Sequence, residues 1–198
     1  DIQTAPGAGA ILGDLGADVI KLEDPVRGDS LRGLYSQHDT SMLIAGGRHI
    51  GFETSNRSKR SITINLKHQR GRELFYQLID KADIFYTNYR EGVLRNLGAD
   101  YDTLSQRKPS LIYGKIDMFG IKGPWAERRG YDFMAQARSG LMWAMGEREL
   151  PEPVLAYGSI CDESGATMLA FGLIAALVGK ERKGIGQRVD TSLYGSMV

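Results

Sequence analysis

Five short strand-like segments punctuate this chain, and every gap between them exceeds a dozen residues. They are Asp18 to Leu22, Ser61 to Leu66, Ile84 to Thr87, Leu111 to Ile116 and Gln187 to Thr191. Parallel strands need crossovers of about that length, usually carrying a helix, whereas antiparallel pairs close with tight turns. The spacing therefore predicts an α/β fold, with a Rossmann-like, mostly parallel sheet and flanking helices. No internal repeat is visible, and no linker divides residues 1–198, so they read as one domain.

The gaps carry helical patterns. Gly7 to Leu15 is rich in small residues. Gln69 to Lys81 places Leu74, Leu78 and Ile79 at helical spacing. Shorter helices are predicted over Val93 to Leu97, closed by Gly98, over Tyr101 to Gln106 and over Tyr131 to Gly140. Asp162 to Val178 is the most apolar helix and reads as buried on most sides. Along Ser61 to Leu66, period-two alternation turns Ile62, Ile64 and Leu66 inward. Arg27 to Gly51, Gly120 to Gly130 and Glu147 to Ser159 read as loops, and Lys180 to Gln187 as a basic turn. Asp190 to Val198 reads as a helix just beginning. Both chain ends look cut, so a longer parent protein is expected.

Composition narrows the function classes. Lys and Arg total 25 against 24 Asp and Glu, which gives no global pull toward nucleic acid or an anionic membrane. The one cysteine, Cys161, cannot build an internal disulfide framework or a cysteine-rich zinc site. Histidines at 38, 49 and 68 lack ligand-like spacing, so no metal is expected. The longest apolar run, Ala166 to Val178, falls short of the roughly 20 residues a bilayer span needs. A reducing, aqueous, cytoplasmic setting is the expectation.

Gly7, Gly9 and Gly13, followed by a strand ending in Glu23-Asp24, imitate a dinucleotide fingerprint, but no full strand precedes them. Close helix packing is the competing reading. Cys161-Asp162-Glu163-Ser164-Gly165 opens the apolar helix. The positive end of a helix favours a carboxylate there by about 0.3–1 kcal/mol. Asp162 fits either an N-cap or an ionised carboxylate nucleophile. Cys161 has no histidine nearby and reads as a small buried thiol. Arginines and lysines beside loops, among them Arg32, Lys59 and Arg60, can hold phosphates or simply solvate a surface.

In this setting the chain resembles the class III CoA-transferase family, which includes formyl-CoA transferase, carnitine CoA-transferase and the α-methylacyl-CoA racemases. The resemblance lies in LGADVIKLEDPVRGDSLRG (15–33), SNRSKRSITINL (55–66), KADIFYTNYREGVLRNLG (81–98) and KPSLIYGKIDMFGIKGPW (108–125). It continues through GYDFMAQARSGLMWAMG (130–146), CDESGATMLAFGLIAAL (161–177) and GIGQRVDTSL (184–193). It implies the N-terminal part of a large domain, without its first strand, its small domain or the C-terminal return. It also implies an interlocked homodimer acting on an acyl-CoA and a carboxylic acid.

The resemblance assigns Asp162 as the nucleophile and Gln3 as a polar contact to the reacting carbonyl. Arg32, Lys59, Arg60, Asn88 and Arg129 match regions that approach CoA, and Tyr131 and Gln136 match other pocket positions. Three departures stand out. A usual Asn-Phe-Arg-Pro-Gly turn is Asn88-Tyr89-Arg90-Glu91-Gly92, a basic position before the next Leu-Gly is Asn96, and the small domain is absent. Tyr131 also occupies the position of the histidine that racemases use. A free phenol titrates near ~10 and is a poor base at neutral pH, which favours CoA transfer over racemisation. A CoA- or nucleotide-binding module without turnover is the remaining alternative.

Overall fold

A computed structural model describes residues 3–37, 40–147, 149 and 152–198. Asp1, Ile2, His38 and Pro151, on which parts of the sequence reading touch, lie outside the described residues. In chain order the elements begin with α1 (Thr4–Asp14), β1 (Val19–Glu23) and a 3-10 turn (Ser30–Gly33). Two small hairpins follow, β2 (Ser36–Gln37) with β3 (Thr40–Ser41) and β4 (Leu43–Ile44) with β5 (Arg48–His49). Next come α2 (Ile50–Asn56), β6 (Lys59–Thr63), α3 (Gln69–Lys81), β7 (Ile84–Thr87), α4 (Glu91–Leu97) and α5 (Tyr101–Arg107). The chain continues through β8 (Ile112–Asp117), α6 (Asp132–Ser139), α7 (Leu141–Ala144), α8 (Ile160–Lys183) and β9 (Arg188–Ser192).

All five predicted strands form, and they pair in parallel. β1 lies beside β6, and β8 lies between β7 and β9. The antiparallel pairs are the two small hairpins, inside the segment read as loop. β8 is covered on both faces. Ile112 and Ile116 join the core beneath α1 and α8, while Tyr113 joins Phe75, Ile79, Leu94 and Leu104 from the opposite helical layer. Tyr113 donates its phenolic hydrogen bond to the Ala99 carbonyl at 3.0 Å.

The small residues of α1 answer the fingerprint question. A Cβ added to Gly7 would sit 3.0 Å from the Ala166 Cβ, and one added to Gly13 would sit 2.8 Å from the Ser58 carbonyl oxygen. At Gly9 it would lie 1.9 Å from the Tyr86 hydroxyl. These glycines lie within α1 and let it approach α8, β6 and β7, as the packing reading requires. Gly165 does the same from α8, where an added Cβ would lie 3.0 Å from Ile116 and 3.2 Å from Thr4.

Several expectations need correction. α8 extends from Ile160 to Lys183, because Lys180, Arg182 and Lys183 complement its C-terminal dipole and Gly184 ends it at φ 69°. Its length and apolarity suffice to cross a membrane by composition alone. Only one face is buried, however, a stripe of Gly165, Ala166, Leu169, Ala170, Leu173 and Ala176, and Phe171 is 68% exposed. In α3 the buried face is Gly71, Phe75 and Ile79, with Leu74 outside it. Ile62 is exposed on β6, while Ile64 is buried just beyond the strand's end, where its N–H still donates to the Glu23 carbonyl. Asp190–Ser192 belong to β9, and a turn rather than a helix follows.

Gly9→Ala should destabilise the fold by about 1–3 kcal/mol, because the new methyl meets the partly buried Tyr86 and Lys59 side chains. Gly92→Ala, with open space around its Cβ and a helical position, should stabilise it by up to ~1 kcal/mol. Denaturant titration of both variants checks the contrast, and equal effects would refute the packing account.

Candidate active site

A cleft of about 620 Å³ opens where β8 ends. Ile116, Asp117 and Met118 form its floor. Gln3, Thr4, Tyr131 and Asp162 line it together with Asn88, Arg90, Arg95 and Arg188. Ligands of parallel sheets bind at such carboxyl ends, where loops diverge and helix N-termini point inward.

Asp162 sits in the first turn of α8, but it is not the N-cap. That position is Ser159, held at φ 59° and ψ 46° with no capping bond from its side chain. The Ser159 hydroxyl instead donates to Gln3 Oε1 at 2.6 Å. That bond leaves the Gln3 amide hydrogens to face other acceptors.

The capping oxygen comes from another helix. Asp132 Oδ2 accepts from the Cys161 backbone N–H at 2.7 Å and from the Asp162 N–H at 2.9 Å. Asp132 is buried, and its Oδ1 accepts from Gln136 Nε2. Gln136 completes the lock through Ala156, donating to its carbonyl at 2.9 Å and accepting from its N–H at 3.0 Å.

The Asp162 carboxylate accepts a hydrogen bond from the Thr4 hydroxyl. Among the described residues no salt bridge neutralises it. Burial pushes its pKa up to about 6, the Thr4 bond pulls the other way, and the charges of Asp132 and Glu163 add to the rise. The group is ionised at neutral pH yet more basic than an ordinary carboxylate, which suits attack on an electrophilic carbonyl. Cys161 is fully buried, and desolvation first, then the Asp132 and Asp162 charges, pushes its thiol up to about 12, so it is inert as a nucleophile.

The structure thus brings Gln3, Asn88, Arg129, Tyr131 and Asp162 to one cleft. Arg32, Lys59, Arg60 and Gln136 do not line it. Arg32 pairs with Glu23 at 2.9 Å and lies 4.0 Å over the Phe52 ring, holding the Glu23 carboxyl near about 2. Lys59 donates to the carbonyls of Pro6 and Ser55 at 2.6 Å, and burial pushes its ammonium down to about 7. Arg60 is exposed and pairs with Asp18. Gln136 has its amide engaged by Asp132 and Ala156. His49 and His68 cap α2 and α3 through Nδ1. Among the described residues no group of three or more His, Cys, Asp or Glu is placed to hold a metal ion.

Sequence reasoning missed Asp132 and the cleft-floor pair of buried Lys115 with Asp117. The available signal for Asp132 was an acid at the start of a predicted helix, which by itself says only that it favours the dipole there. It also missed Arg188, which bridges Asp190 at 2.9 Å and Glu91 at 3.6 Å across β9 and α4.

Residues 2–198 match the family model for CoA-transferase family III. The chain belongs to that family. It is 36% identical over 195 residues to an acyl-CoA transferase of Fusarium pseudograminearum, covering 98% of this chain and 42% of that protein. It is also 36% identical over 193 residues to an acetyl-CoA:oxalate CoA-transferase of Acetobacter aceti, covering 98% and 48%. A crystal structure of a CAIB/BAIF family protein from Brucella suis superposes with a TM-score of 0.89 at 38% identity, covering 99% of this chain and 51% of that one. The chain therefore spans about half the length of these relatives.

The raised pKa of Asp162 has a consequence for stability. Its folded value near 6 lies above the unfolded carboxylate's ~3.9, so the ionised form destabilises the fold. This destabilisation is complete above pH 6 and fades as pH falls toward 4. Asp162→Asn keeps an oxygen for Thr4 and should add roughly 1–3 kcal/mol of stability at pH 7, with little gain at pH 4. Thermal melts at the two pH values check this, and an equal gain at both would refute it.

Proposed function

We propose that this chain carries the nucleophilic half-site of an enzyme that moves CoA from an acyl-CoA to a carboxylic acid. The observation that carries the reading is Asp162, a desolvated carboxylate with no neutralising cation among the described residues, facing a cleft wide enough for a thioester. Relatives named as CoA-transferases for oxalate, malate and glutarate support the reaction class.

The steps follow from the chemistry of a carboxylate and a thioester. Asp162 attacks the acyl-CoA carbonyl, the C–S bond breaks, and CoA leaves as thiolate with an aspartyl–acyl anhydride behind it. The thiolate then attacks the aspartyl carbonyl, releases the donor acid as its carboxylate and leaves an aspartyl-CoA thioester. The acceptor carboxylate attacks that thioester, forming a second anhydride and expelling thiolate again. Attack of the thiolate on the acceptor's carbonyl yields the new acyl-CoA and restores Asp162. Thiolate is a good leaving group, so the site needs chiefly alignment and donors to the developing oxyanions. The Gln3 amide, oriented by Ser159, is suited to such a contact.

In this reading Asn88, Arg129 and Tyr131 hold CoA from within the cleft, and Arg32, Lys59 and Arg60 approach it from outside. Gln136 we reassign from ligand contact to support of Asp132. Racemisation is disfavoured because Tyr131 is 62% exposed and stacked on Phe133, and neither described histidine, His49 or His68, lines the cleft.

With the complete protein, Asp162→Ala and Asp162→Asn should each abolish CoA exchange between an acyl-CoA and its free acid. Hydroxylamine added during turnover should modify Asp162 and leave Glu163 untouched, as read by peptide mass. Arg32→Ala should raise KM for acyl-CoA and leave KM for the acid nearly unchanged. Normal exchange in either Asp162 variant would refute the nucleophile assignment.

We also propose that the complete protein is an interlocked homodimer. The exposed apolar face of α8, with Met168, Phe171 and Val178, supports a surface that is covered in the assembly. Light scattering on the complete protein should give twice the chain mass, and a monomer would refute it.

A further inference from the structure

A carboxylate in the first turn of a helix commonly folds back onto the free backbone N–H groups, which want an acceptor. Asp162 does not, because the Cys161 and Asp162 amides are already occupied by Asp132. The usual capping residue has also been diverted, since Ser159 turns its hydroxyl to Gln3. We propose that Asp132 is a positioning residue for the transfer reaction: its carboxylate takes the amides at the start of α8 and so turns the Asp162 side chain out into the cleft.

The surrounding bonds suit a carboxylate at this place. Oδ2 receives two backbone N–H groups and Oδ1 receives the Gln136 amide, so every partner is a donor. An asparagine would set its own NH₂ against one of those donors. Gln136 cannot turn over to relieve the clash without losing both of its bonds to Ala156. The same two side chains of α6 thus grip the chain at Ala156 and again at Cys161–Asp162, on either side of the strained Ser159. On the other flank α1 supplies Thr4 to the Asp162 carboxylate. The nucleophile is aimed by two helices that are not its own.

This inference rests on Asp162 being the nucleophile. The test uses the complete protein with an acyl-CoA and a carboxylic acid. Asp132→Asn should lower kcat by about 100-fold while KM for acyl-CoA stays within about threefold, as expected when aim rather than affinity is lost. The groups facing Asp162 are Thr4 from α1, Asp132 from α6 and Glu163 on its own helix. Loss of the Asp132 charge should therefore also move the acid limb of kcat/KM to lower pH. A merely structural role would lower the melting temperature and leave that limb in place.

If Asp132→Asn does not fold by circular dichroism, Gln136→Met, which unlocks Asp132 without removing it, should lower kcat by about tenfold with KM retained. Wild-type kcat and an unmoved acid limb in the folded variant would overturn the proposal. Hydroxylamine trapping on the unsubstituted protein separates the two readings. No acyl-dependent modification at Asp162 would refute the nucleophile itself, whereas modification with unchanged Asp132→Asn kinetics would refute only the positioning role.

Discussion

The close approach of α1 to α8 sets the distances on which the rest of the cleft depends. Gly7 lies against Ala166, and Gly165 lies against Thr4 and Ile116, so the two helices meet with almost no side chain between them. That contact brings the Thr4 hydroxyl to Asp162 and Gln3 to Ser159, although the partners stand more than 150 residues apart in the chain. Larger residues at these positions would push α1 away and leave the carboxylate without its hydrogen bond. The small-residue stripe of α1 is thus a device for placing polar groups.

Charge at the head of α8 is arranged against the usual economy of a helix end. Asp132, Asp162 and Glu163 gather where one acid would satisfy the dipole. Burial first, and then this surplus charge, raises the basicity of Asp162 while leaving it ionised at neutral pH. For the acyl transfer proposed above this is a useful compromise, because a leaving thiolate departs readily and the burden would fall on the nucleophile. Basic residues share the cleft, but among the described residues none forms a salt bridge with Asp162, and Arg188 is engaged by Asp190.

The strands were legible because each is a short segment between stretches of helical pattern, and helix ends at Gly98 and Gly140 followed from glycine's tolerance of positive φ. Burial within the helices was less legible. α8 read as buried on most sides by composition, yet only one stripe of it is buried and its bulkiest side chain, Phe171, faces outward. Asp162 could be singled out because an acid at a helix start has a stated physical preference and the family pattern points to it. Asp132 could not, since its role is to cap a helix about thirty residues downstream, and no local pattern encodes that. Arg32 and Arg60 read as phosphate holders or surface charges, but folding pairs Arg32 of the 3-10 turn with Glu23, and the β1–β6 pairing brings Arg60 to Asp18.

The central place of β8 has a consequence for the order in which the molecule assembles. Its partner on one side, β7, precedes it by one helical layer, so that edge can zip as soon as α4 and α5 have formed. Its other partner, β9, arrives only after α6, α7 and the whole of α8 have been made, as the pairing of Tyr113 with Arg188 requires. Non-local pairings of this kind are slow to close, since the intervening chain must be ordered before the contact repays it. During synthesis the strand that floors the cleft is therefore half-finished until nearly all of these residues have left the ribosome.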